Sequence, residues 1–303
     1  MPTKLVTVSP DASDAWRLDP VIQALREGGV SSAWMDRERG ERERERDRAT
    51  KNKTDGARPP SPLSFSPSQV GVIPTDTLPA LVVDVSARDA AARLCAAKGG
   101  PPKVRALALL CRGWADVDAY TAGFPAPPPG APDPFRVARA ALPGPYTLIL
   151  GAGKALPKAA SLAELGKKHG GGGSARKRAT VGVRLSAHPV AAAVLAALDR
   201  PLLCTSVRPD ASSDKDDDDE EGEDEGEERG SGGVRTVGWS PGEDAATLAD
   251  RLSGRGVAFV VDCGPRPPVP DVSTVLDFSK GWPPDLVRAG AGDPAVFGVE
   301  EED

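Results

Sequence analysis

Short apolar runs that alternate with helical patterns between residues 70 and 288 constrain the fold of this chain more than any other feature. The runs at 81–85 and 257–262 are rich in Val, which is typical of buried strands. Between such runs lie segments with helical apolar spacing, for example the alanine-rich stretch 188–198. Strands interleaved with helices build layered α/β domains, so we expect a twisted, mixed, open sheet flanked by helices.

The individual elements follow from the same patterns, although the order of strands in the sheet does not. Strands are predicted at 70–73, 81–85, 106–111, 146–150, 180–185, 202–206, 257–262, 274–278 and 286–288. Helices are predicted at 18–30, 89–97, 114–122, 134–141, 188–198 and 244–252.

Two segments lack the composition of a core. Residues 31–69 contain alternating Arg and Glu followed by a Ser/Pro-rich stretch, and residues 210–233 are dominated by Asp and Glu. We predict an N-terminal segment 1–30 with the first domain helix and a domain at 70–292 that the disordered acidic loop interrupts. An acidic tail is predicted at 293–303. The segment 31–69 is either a disordered insert or a translated unspliced intron, and the sequence of the transcript distinguishes the two.

The acidic loop hides the charge of the remaining chain. The whole chain carries a net charge of −6, and residues 210–233 hold thirteen acidic side chains against Lys215 and Arg229. Without the −11 of that loop, the rest carries +5. A mildly basic folded part suits an anionic ligand such as a nucleotide or RNA.

Cysteine and histidine usage argues against a structural metal site. The four cysteines are far apart without a CxxC pair, and the histidines are His169 and His188. Buried, reduced thiols in the cytoplasm or the chloroplast are therefore expected. No apolar run is long enough to span a bilayer, and the acidic N-terminal residues resemble neither a secretory signal nor a transit peptide, so we expect a protein that is not secreted and has no membrane partner.

The motif Pro74-Thr75-Asp76-Thr77 directly follows a predicted strand. It places two hydroxyls and a carboxylate at the carboxyl end of that strand, where open α/β sheets bind ligands. The alternative is a structural turn in which Asp76 caps its own backbone.

Cations and hydroxyls recur at the ends of other predicted strands and helices. Arg184 lies on the same side of its strand as Gly182, so it needs either a core carboxylate or a ligand anion as its partner. Lys98 ends a helix, where it either complements the helix dipole or supplies a charge to phosphate. The remaining candidates are Lys103, Ser206, Ser273 and Arg288. This composition favours binding and orienting a nucleotide and its leaving pyrophosphate over acid–base hydrolysis.

The order of these motifs resembles that of the YrdC-type domain family. The matching stretches are PTDTL (74–78), Lys98, LPGPYTLIL (142–150), TVGVRLSAHP (180–189), PLLCTSV (201–207), STVLD (273–277) and VRAGAG (287–292). Cys111-Arg112 and the forms PGPYT and TSV are closest to the YciO-like branch. The resemblance implies a single YrdC/RibB-like domain with a concave basic ligand cleft.

The resemblance also implies a function. Members of the YrdC-type family make threonylcarbamoyl-adenylate and pyrophosphate from ATP, L-threonine and bicarbonate. A separate transferase then modifies tRNA. By resemblance, Thr75 and Thr77 border the threonine and acyl-adenylate pocket, and Lys98, with Thr75, is the catalytic candidate. Lys98 would meet the ATP phosphates, with Mg²⁺ on the triphosphate. Arg184 and Ser206 would line the cleft, and Ser273 and Arg288 would hold the adenylate phosphate.

Three positions depart from the pattern of the synthases. Gly100 stands where they have an arginine two residues after the lysine, which leaves Lys103 or Arg105 to substitute for it. Arg208 replaces an asparagine, and Pro79 replaces an aromatic residue. A lost arginine fork is not replaced by another cation at a different point, so a weakened synthase is expected. The alternatives are a non-catalytic module that binds a nucleotide or double-stranded RNA, and a scaffold with a decayed site.

Overall fold

The structure is a computed structural model that describes residues 2–26, 69–87, 89–99, 107–157, 180–207, 243–264 and 272–299. The strands are β1 (Lys4–Thr7), β2 (Val70–Ile73), β3 (Ala80–Asp84), β4 (Ala108–Leu110), β5 (Tyr146–Gly151), β6 (Thr180–Arg184), β7 (Leu202–Ser206), β8 (Val257–Asp262), β9 (Thr274–Asp277) and β10 (Asp285–Arg288). The helices are α1 (Asp19–Arg26), α2 (Ala90–Lys98), α3 (Trp114–Tyr120), α4 (Pro134–Ala141), α5 (Pro189–Ala197) and α6 (Ala245–Leu252), with 3-10 turns at Ala15–Leu18 and Pro294–Phe297.

All the strands of the described residues join one sheet. The order is β1-β8-β2-β3-β7-β4-β6-β5-β9-β10. The neighbours β1 and β8, β8 and β2, β4 and β6, and β5 and β9 are parallel, and the other pairs are antiparallel. The prediction of a mixed open sheet flanked by helices is therefore confirmed.

Helices cover the two faces of the sheet with separate apolar cores. On one face, Leu94 of α2 and Leu248 of α6 pack with strand residues such as Val83. On the other face, Leu25 of α1 and Val194 of α5 pack with strand residues that include Val82, Cys204 and Phe259. Adjacent residues of a strand point to opposite faces, which explains why Val82 and Val83 belong to different cores.

The second face is open toward the β10 edge. Along β5, Tyr146, Leu148 and Leu150 are buried in the first core, whereas the alternate residues Thr147, Ile149 and Gly151 are half-buried. Among the described residues, the core beneath α1 and α5 includes no side chain from β5, β9 or β10. Helices α1 and α5 therefore leave a half-buried strip of sheet beside β6 outside their core.

Most predicted elements are observed with ends shifted by one or two residues, but β1 is absent from the sequence prediction. Its four residues alternate between half-buried and exposed, because β1 is an edge strand that pairs with β8 alone. Such a short run carries little apolar pattern. The helix predicted at 18–30 is α1, which a 3-10 turn precedes, and residues 27–30 lie outside the described residues.

The segment 31–68 and the loop 210–233 also lie outside the described residues, so the predictions for them stay predictions. Phe297, within the predicted tail, is fully buried and meets Tyr146 and Phe278 edge-on. Among the described residues, no helix is both long and apolar enough to cross a membrane.

Candidate functional site

The guanidinium of Arg184 is the centre of the candidate site. Arg184 ends β6, and its side chain is on the face opposite Val181 and Val183, which belong to the first core. Only 3% of the residue is exposed. Its Nη2 donates to Thr77 Oγ1 at 2.6 Å and lies 3.5 Å from Asp76 Oδ1. Of the two predicted partners of Arg184, a core carboxylate or a ligand anion, the structure shows the carboxylate, which Asp76 supplies from the motif that follows β2.

Asp76 locks the loop after β2 to the segment after β6. Its carboxylate accepts hydrogen bonds from Ser186 Oγ at 3.1 Å and from the backbone N–H of Ala187 at 3.1 Å. The backbone N–H of Asp76 in turn donates to Ser186 Oγ at 3.3 Å. The carboxylate therefore binds across the fold, and the alternative in which Asp76 caps its own turn is not what the structure shows.

Thr75 forms the turn instead. Its Oγ1 donates to the carbonyl of Leu78 at 2.7 Å and accepts from the N–H of Thr77 at 3.3 Å. Both threonines are buried, each 6% exposed. The hydroxyl of Thr75 thus shapes the loop that presents Asp76 and Thr77 to Arg184.

One nitrogen of Arg184 retains donor capacity. Its Nε is buried and donates to no atom of the described residues. A buried N–H without an acceptor is costly, and a guanidinium fork matches a carboxylate or a phosphate. This geometry suits an anion that approaches over the sheet face that carries Arg184.

A second polar cluster links β5, β9 and β10. Arg288 donates from Nη2 to the carbonyl of Ser273 at 2.7 Å and to its Oγ at 3.1 Å. Ser273 Oγ and Thr147 Oγ1 share a hydrogen bond at 2.8 Å. Ser273 is 3% exposed, whereas Thr147 and Arg288 are half-buried. The structure therefore brings the predicted pair Ser273 and Arg288 together, and it adds Thr147.

The loop that follows Arg288 packs against the start of β9. A Cβ on Gly290 would lie 2.3 Å from the carbonyl oxygen of Val272, and one on Gly292 would lie 2.4 Å from the Tyr146 ring. The Gly292 N–H donates to Thr274 Oγ1 at 3.0 Å. Glycine is needed at both positions because backbone approaches backbone and ring here.

The two clusters share one face of the sheet. The antiparallel register of β5 and β6 pairs Leu148 with Val183, which places Thr147 opposite Arg184. A Cβ on Gly182, on the same face, would lie 3.4 Å from Thr147 Cγ2. Arg184, Thr147, Ser273 and Arg288 therefore form a continuous polar strip that borders the open part of the sheet.

The other predicted residues lie apart from this strip. Lys98 Nζ donates to Thr205 Oγ1 at 3.1 Å, on the sheet face that α2 covers. Ser206, the next residue along β7, pairs with Ala80 at the start of β3. Lys103 lies outside the described residues, as do Gly100 and Arg208.

The Cys111-Arg112 signature supports the end of β6. The N–H of Cys111 donates to the carbonyl of Arg184 at 2.8 Å. Arg112 donates from Nε to Asp116 Oδ2 at 2.9 Å and from Nη1 to the carbonyl of Leu198 at 3.3 Å. Asp116 is 2% exposed, so this ion pair joins β4, α3 and the end of α5 from within.

The positive charge of Arg184 affects the pKa of Cys204 in β7. Burial raises the pKa of the Cys204 thiol to about 11, and the positive charge of Arg184 opposes this rise. Cys204 belongs to the core on the same face. Within the part of the chain that the structure describes, no three His, Cys, Asp or Glu residues form a group that could hold a metal ion.

Thr147 and Ser186 were not among the predicted site residues, and Asp76 was considered only as part of the motif that follows β2. Asp76 and Thr147 lie within the motifs PTDTL and LPGPYTLIL, and Ser186 lies two residues beyond Arg184. The signal for Thr147 is its alternation with Leu148, which places its hydroxyl on the face of Arg184. The signal for Ser186 is weaker, because its contact with Asp76 spans 110 residues of chain.

Comparisons with known proteins bear on the family and the fold of the chain. A protein-family model for Sua5, YciO and YrdC, described as "Telomere recombination", matches residues 66–225. The chain is 34% identical over 145 residues to a threonylcarbamoyl-AMP synthase of Halorhodospira halophila, across 47% of this chain and 65% of that enzyme. It thus spans just under two thirds of that relative.

Two solved structures share the fold. The crystal structure of E. coli YciO superposes with a TM-score of 0.58 and 22% identity, over 97% of this chain and 99% of YciO. Sua5 of P. abyssi in complex with L-threonine superposes with a TM-score of 0.53 and 18% identity, over 95% of this chain and 58% of Sua5. At these identities the likeness concerns the fold alone.

Proposed function

Because the chain belongs to the Sua5/YciO/YrdC family, we propose that it is a threonylcarbamoyl-AMP synthase-type enzyme, which joins L-threonine, bicarbonate and ATP. The observation that carries the proposal is the buried Arg184 guanidinium. It is fixed by Thr77 and Asp76, has a donor to spare at Nε, and lies at the end of β6 beside the half-buried residues of β5.

In this proposal Arg184 holds the carboxylate of threonine. The hydrogen bond from Nη2 to Thr77 fixes the plane of the guanidinium before a ligand arrives, so little side-chain entropy is lost on binding. The turn that Thr75 forms keeps Thr77 in place. Thr75 and Thr77 then border the amino-acid pocket without exchanging a proton with the substrate.

Arg288 and Ser273 are the proposed holders of the adenylate phosphate. They already contact each other and lie at the end of the polar strip opposite Arg184. Lys98 would have to leave Thr205 to reach a phosphate, because its ammonium is on the other face. We therefore assign the α-phosphate to Arg288 and Ser273, and Lys98 reaches the pyrophosphate end only if its ammonium leaves Thr205 and that face of the sheet.

The proposed reaction has two steps. The amino nitrogen of threonine and bicarbonate form a carbamate with loss of water. A carbamate oxygen then attacks the α-phosphorus of ATP, so that a new P–O bond forms as the bond to pyrophosphate breaks. The protein contributes positioning and charge neutralisation, in keeping with a site of hydroxyls and arginines.

The residues do not form a cage for Mg²⁺. Asp76, the carboxylate beside Arg184, is engaged by Ser186, Ala187 and Arg184, and no metal-binding group of three occurs among the residues described. The cation would therefore arrive with the triphosphate, held by phosphate oxygens and water.

The comparisons with known proteins support the proposed synthase function. The Halorhodospira protein is a threonylcarbamoyl-AMP synthase, and the P. abyssi relative was crystallised with L-threonine. The acyl-adenylate would pass to a transferase that modifies an adenosine of tRNA, which completes the proposal. Among the described residues, no contact favours the double-stranded RNA alternative, and it serves as an outcome of the test.

Pyrophosphate release tests the proposal. The full chain is incubated with ATP, Mg²⁺, L-threonine and bicarbonate, and each component is omitted in turn. We expect release that requires all of the substrates and, at low L-threonine, falls by about tenfold or more in Arg184→Gln. Arg136→Gln is the matched control, because the Arg136 side chain is 87% exposed on α4. Release without threonine, or no release together with a salt-sensitive shift of structured RNA, contradicts the proposal.

A further inference from the structure

Thr147 lies between the two arginines of the polar strip, and the proposed function gives it no role. On β5 it stands opposite Arg184 of β6, and it pairs with Val275 of β9. Its Oγ1 shares a hydrogen bond with Ser273 Oγ at 2.8 Å, and the residue is half-buried. Its hydroxyl is therefore the polar group at the middle of the strip.

Two contacts give the orientation of the Thr147 side chain. A Cβ on Gly182 would lie 3.4 Å from Thr147 Cγ2, so the methyl group is on the β6 side of the residue. The hydroxyl is on the β9 side, where it meets Ser273. Because a β-branched side chain is stiff at χ1, the hydroxyl is held in place before a ligand arrives.

The hydroxyl of Thr147 has a proton to give to a ligand. Arg288 Nη2 donates to Ser273 Oγ at 3.1 Å, and a guanidinium accepts no hydrogen bond. Among the described residues, the side-chain acceptor that Ser273 contacts is thus Thr147 Oγ1. Ser273 is 3% exposed, and a buried O–H without an acceptor is costly, so Ser273 donates to Thr147. Thr147 then accepts from Ser273 and keeps its own proton for donation from the more exposed position.

The spacing of the strands fits a small group above Thr147. Strand β5 lies between β6 and β9, and neighbouring strands are about 5 Å apart, so the backbones at Arg184 and Ser273 are about 10 Å apart. A carboxylate at Arg184 and a phosphate at Ser273 would leave space for one small linking group over β5. In threonylcarbamoyl-adenylate, the group that links the two is the carbamate.

We propose that Thr147 binds the carbamate that bicarbonate supplies, an inference that rests on the proposed function. The Thr147 hydroxyl donates to one carbamate oxygen, and the other oxygen attacks the α-phosphorus of ATP. A neutral donor suits this position, because hydrogen bonds between two ionised groups are stronger than those from a hydroxyl. An arginine here would hold the attacking group more tightly and make it a poorer nucleophile.

The experiment measures how product formation depends on bicarbonate. Buffers are freed of dissolved CO2, ¹³C-bicarbonate is varied at saturating ATP, Mg²⁺ and L-threonine, and the labelled acyl-adenylate is quantified by mass spectrometry. We expect Thr147→Val, which keeps the shape but lacks the hydroxyl, to raise the KM for bicarbonate by about tenfold or more. The KM for ATP and the Kd for L-threonine should stay unchanged. Thr147→Ser should restore most of the lost affinity for bicarbonate, and Arg136→Gln, exposed on α4, is the control outside the site.

The possible failures of the inference and of the proposed function differ. A Thr147→Val variant with the wild-type KM for bicarbonate would overturn the inference and leave the synthase function intact. Equal rises in the KM for bicarbonate and for ATP would also overturn it, because they would show that Thr147 only supports Ser273. A wild type that forms no labelled acyl-adenylate would refute the proposed function and the role of Thr147 with it. If Thr147→Val does not fold, Thr147→Ala, which also lacks the hydroxyl, takes its place.

Discussion

Arg184 Nη2 and Thr77 Oγ1 lie 2.6 Å apart although 107 residues of chain separate them. This hydrogen bond joins the loop after β2 to the end of β6. Together with Asp76, it fixes a buried guanidinium at the border of the half-buried strip of sheet beside β6. The candidate site therefore depends on the tertiary fold as a whole and on no single motif.

Replacement of Arg184 should weaken threonine binding before it impairs folding. Loss of a hydrogen bond to a charged group costs about 1.5–3 kcal/mol, so we expect Arg184→Gln to weaken L-threonine binding by about tenfold to a hundredfold. Arg184→Lys should recover little, because an ammonium lacks the planar fork. Isothermal titration with L-threonine checks both variants, and a lysine variant that binds as tightly as the wild type would refute the role of the fork.

Asp76 should matter to stability as well as to the site. In Asp76→Asn, the amide can accept with one oxygen only, and its NH₂ would face Ser186 Oγ or the Ala187 N–H. We expect a loss of about 1–3 kcal/mol in the free energy of unfolding, measured by denaturant titration. An unchanged denaturation midpoint would show that the hydrogen bonds of Asp76 with Ser186 and Ala187 contribute nothing to stability.

The sequence predicted the sheet and most of its elements because apolar alternation survives in short windows. Strands such as β7 and β8 are observed with the predicted bounds. It also predicted that Arg184 shares the side of Gly182, since alternation along a strand is a local property. Edge strand β1 lay beyond this reasoning, because only its partner β8 makes Lys4–Thr7 a strand.

Contacts between distant segments were not predictable from local patterns. The sequence proposed that Asp76 either binds a ligand or caps its own turn, but its partners are Ser186 and Ala187, more than a hundred residues away. Likewise, Lys98 was expected to face the ligand, and the structure shows it bonded to Thr205 beneath α2. Which face a helix end occupies depends on the packing of the whole layer.

The second cluster should separate nucleotide binding from threonine binding. Ser273→Ala removes the hydroxyl that contacts both Arg288 and Thr147. We expect the KM for ATP to rise by about five- to tenfold, in line with the loss of one hydrogen bond, while the Kd for L-threonine stays unchanged. Thr147→Ser, which keeps the hydroxyl, is the control. A Ser273→Ala variant that loses threonine binding instead would contradict the assignment of Ser273 to the nucleotide and of Arg184 to threonine.

Lys98 offers a test of the phosphate assignment with a matched control. Lys98→Ala should lower pyrophosphate release if the ammonium leaves Thr205 to neutralise the departing pyrophosphate. Thr205→Val removes a hydroxyl that accepts from the ammonium and should leave the rate near that of the wild type. Equal losses in the two variants would assign Lys98 a structural role.

Close packing between β2 and β8 gives a test of the sheet order. A Cβ on Gly71 would lie 2.0 Å from the ring of Phe259, which is fully buried. We expect Gly71→Ala to lower the free energy of unfolding by about 2 kcal/mol or more. Gly113→Ala, where a Cβ meets nothing within 4 Å, should cost less than about 1 kcal/mol. Equal stability of the two variants would argue against the pairing of Gly71 with Phe259.

The most direct test of the proposed function is the fate of carbon from labelled bicarbonate. The full chain is supplied with ATP, Mg²⁺, L-threonine and ¹³C-bicarbonate, and the quenched mixture is analysed by mass spectrometry. With L-threonine kept at a low concentration, the account predicts a threonylcarbamoyl-adenylate that carries the heavy carbon with the wild type and with Arg136→Gln, and about tenfold less of it or lower with Arg184→Gln. Pyrophosphate release without a labelled acyl-adenylate, or a labelled product that Arg184→Gln forms at the wild-type level, would contradict it.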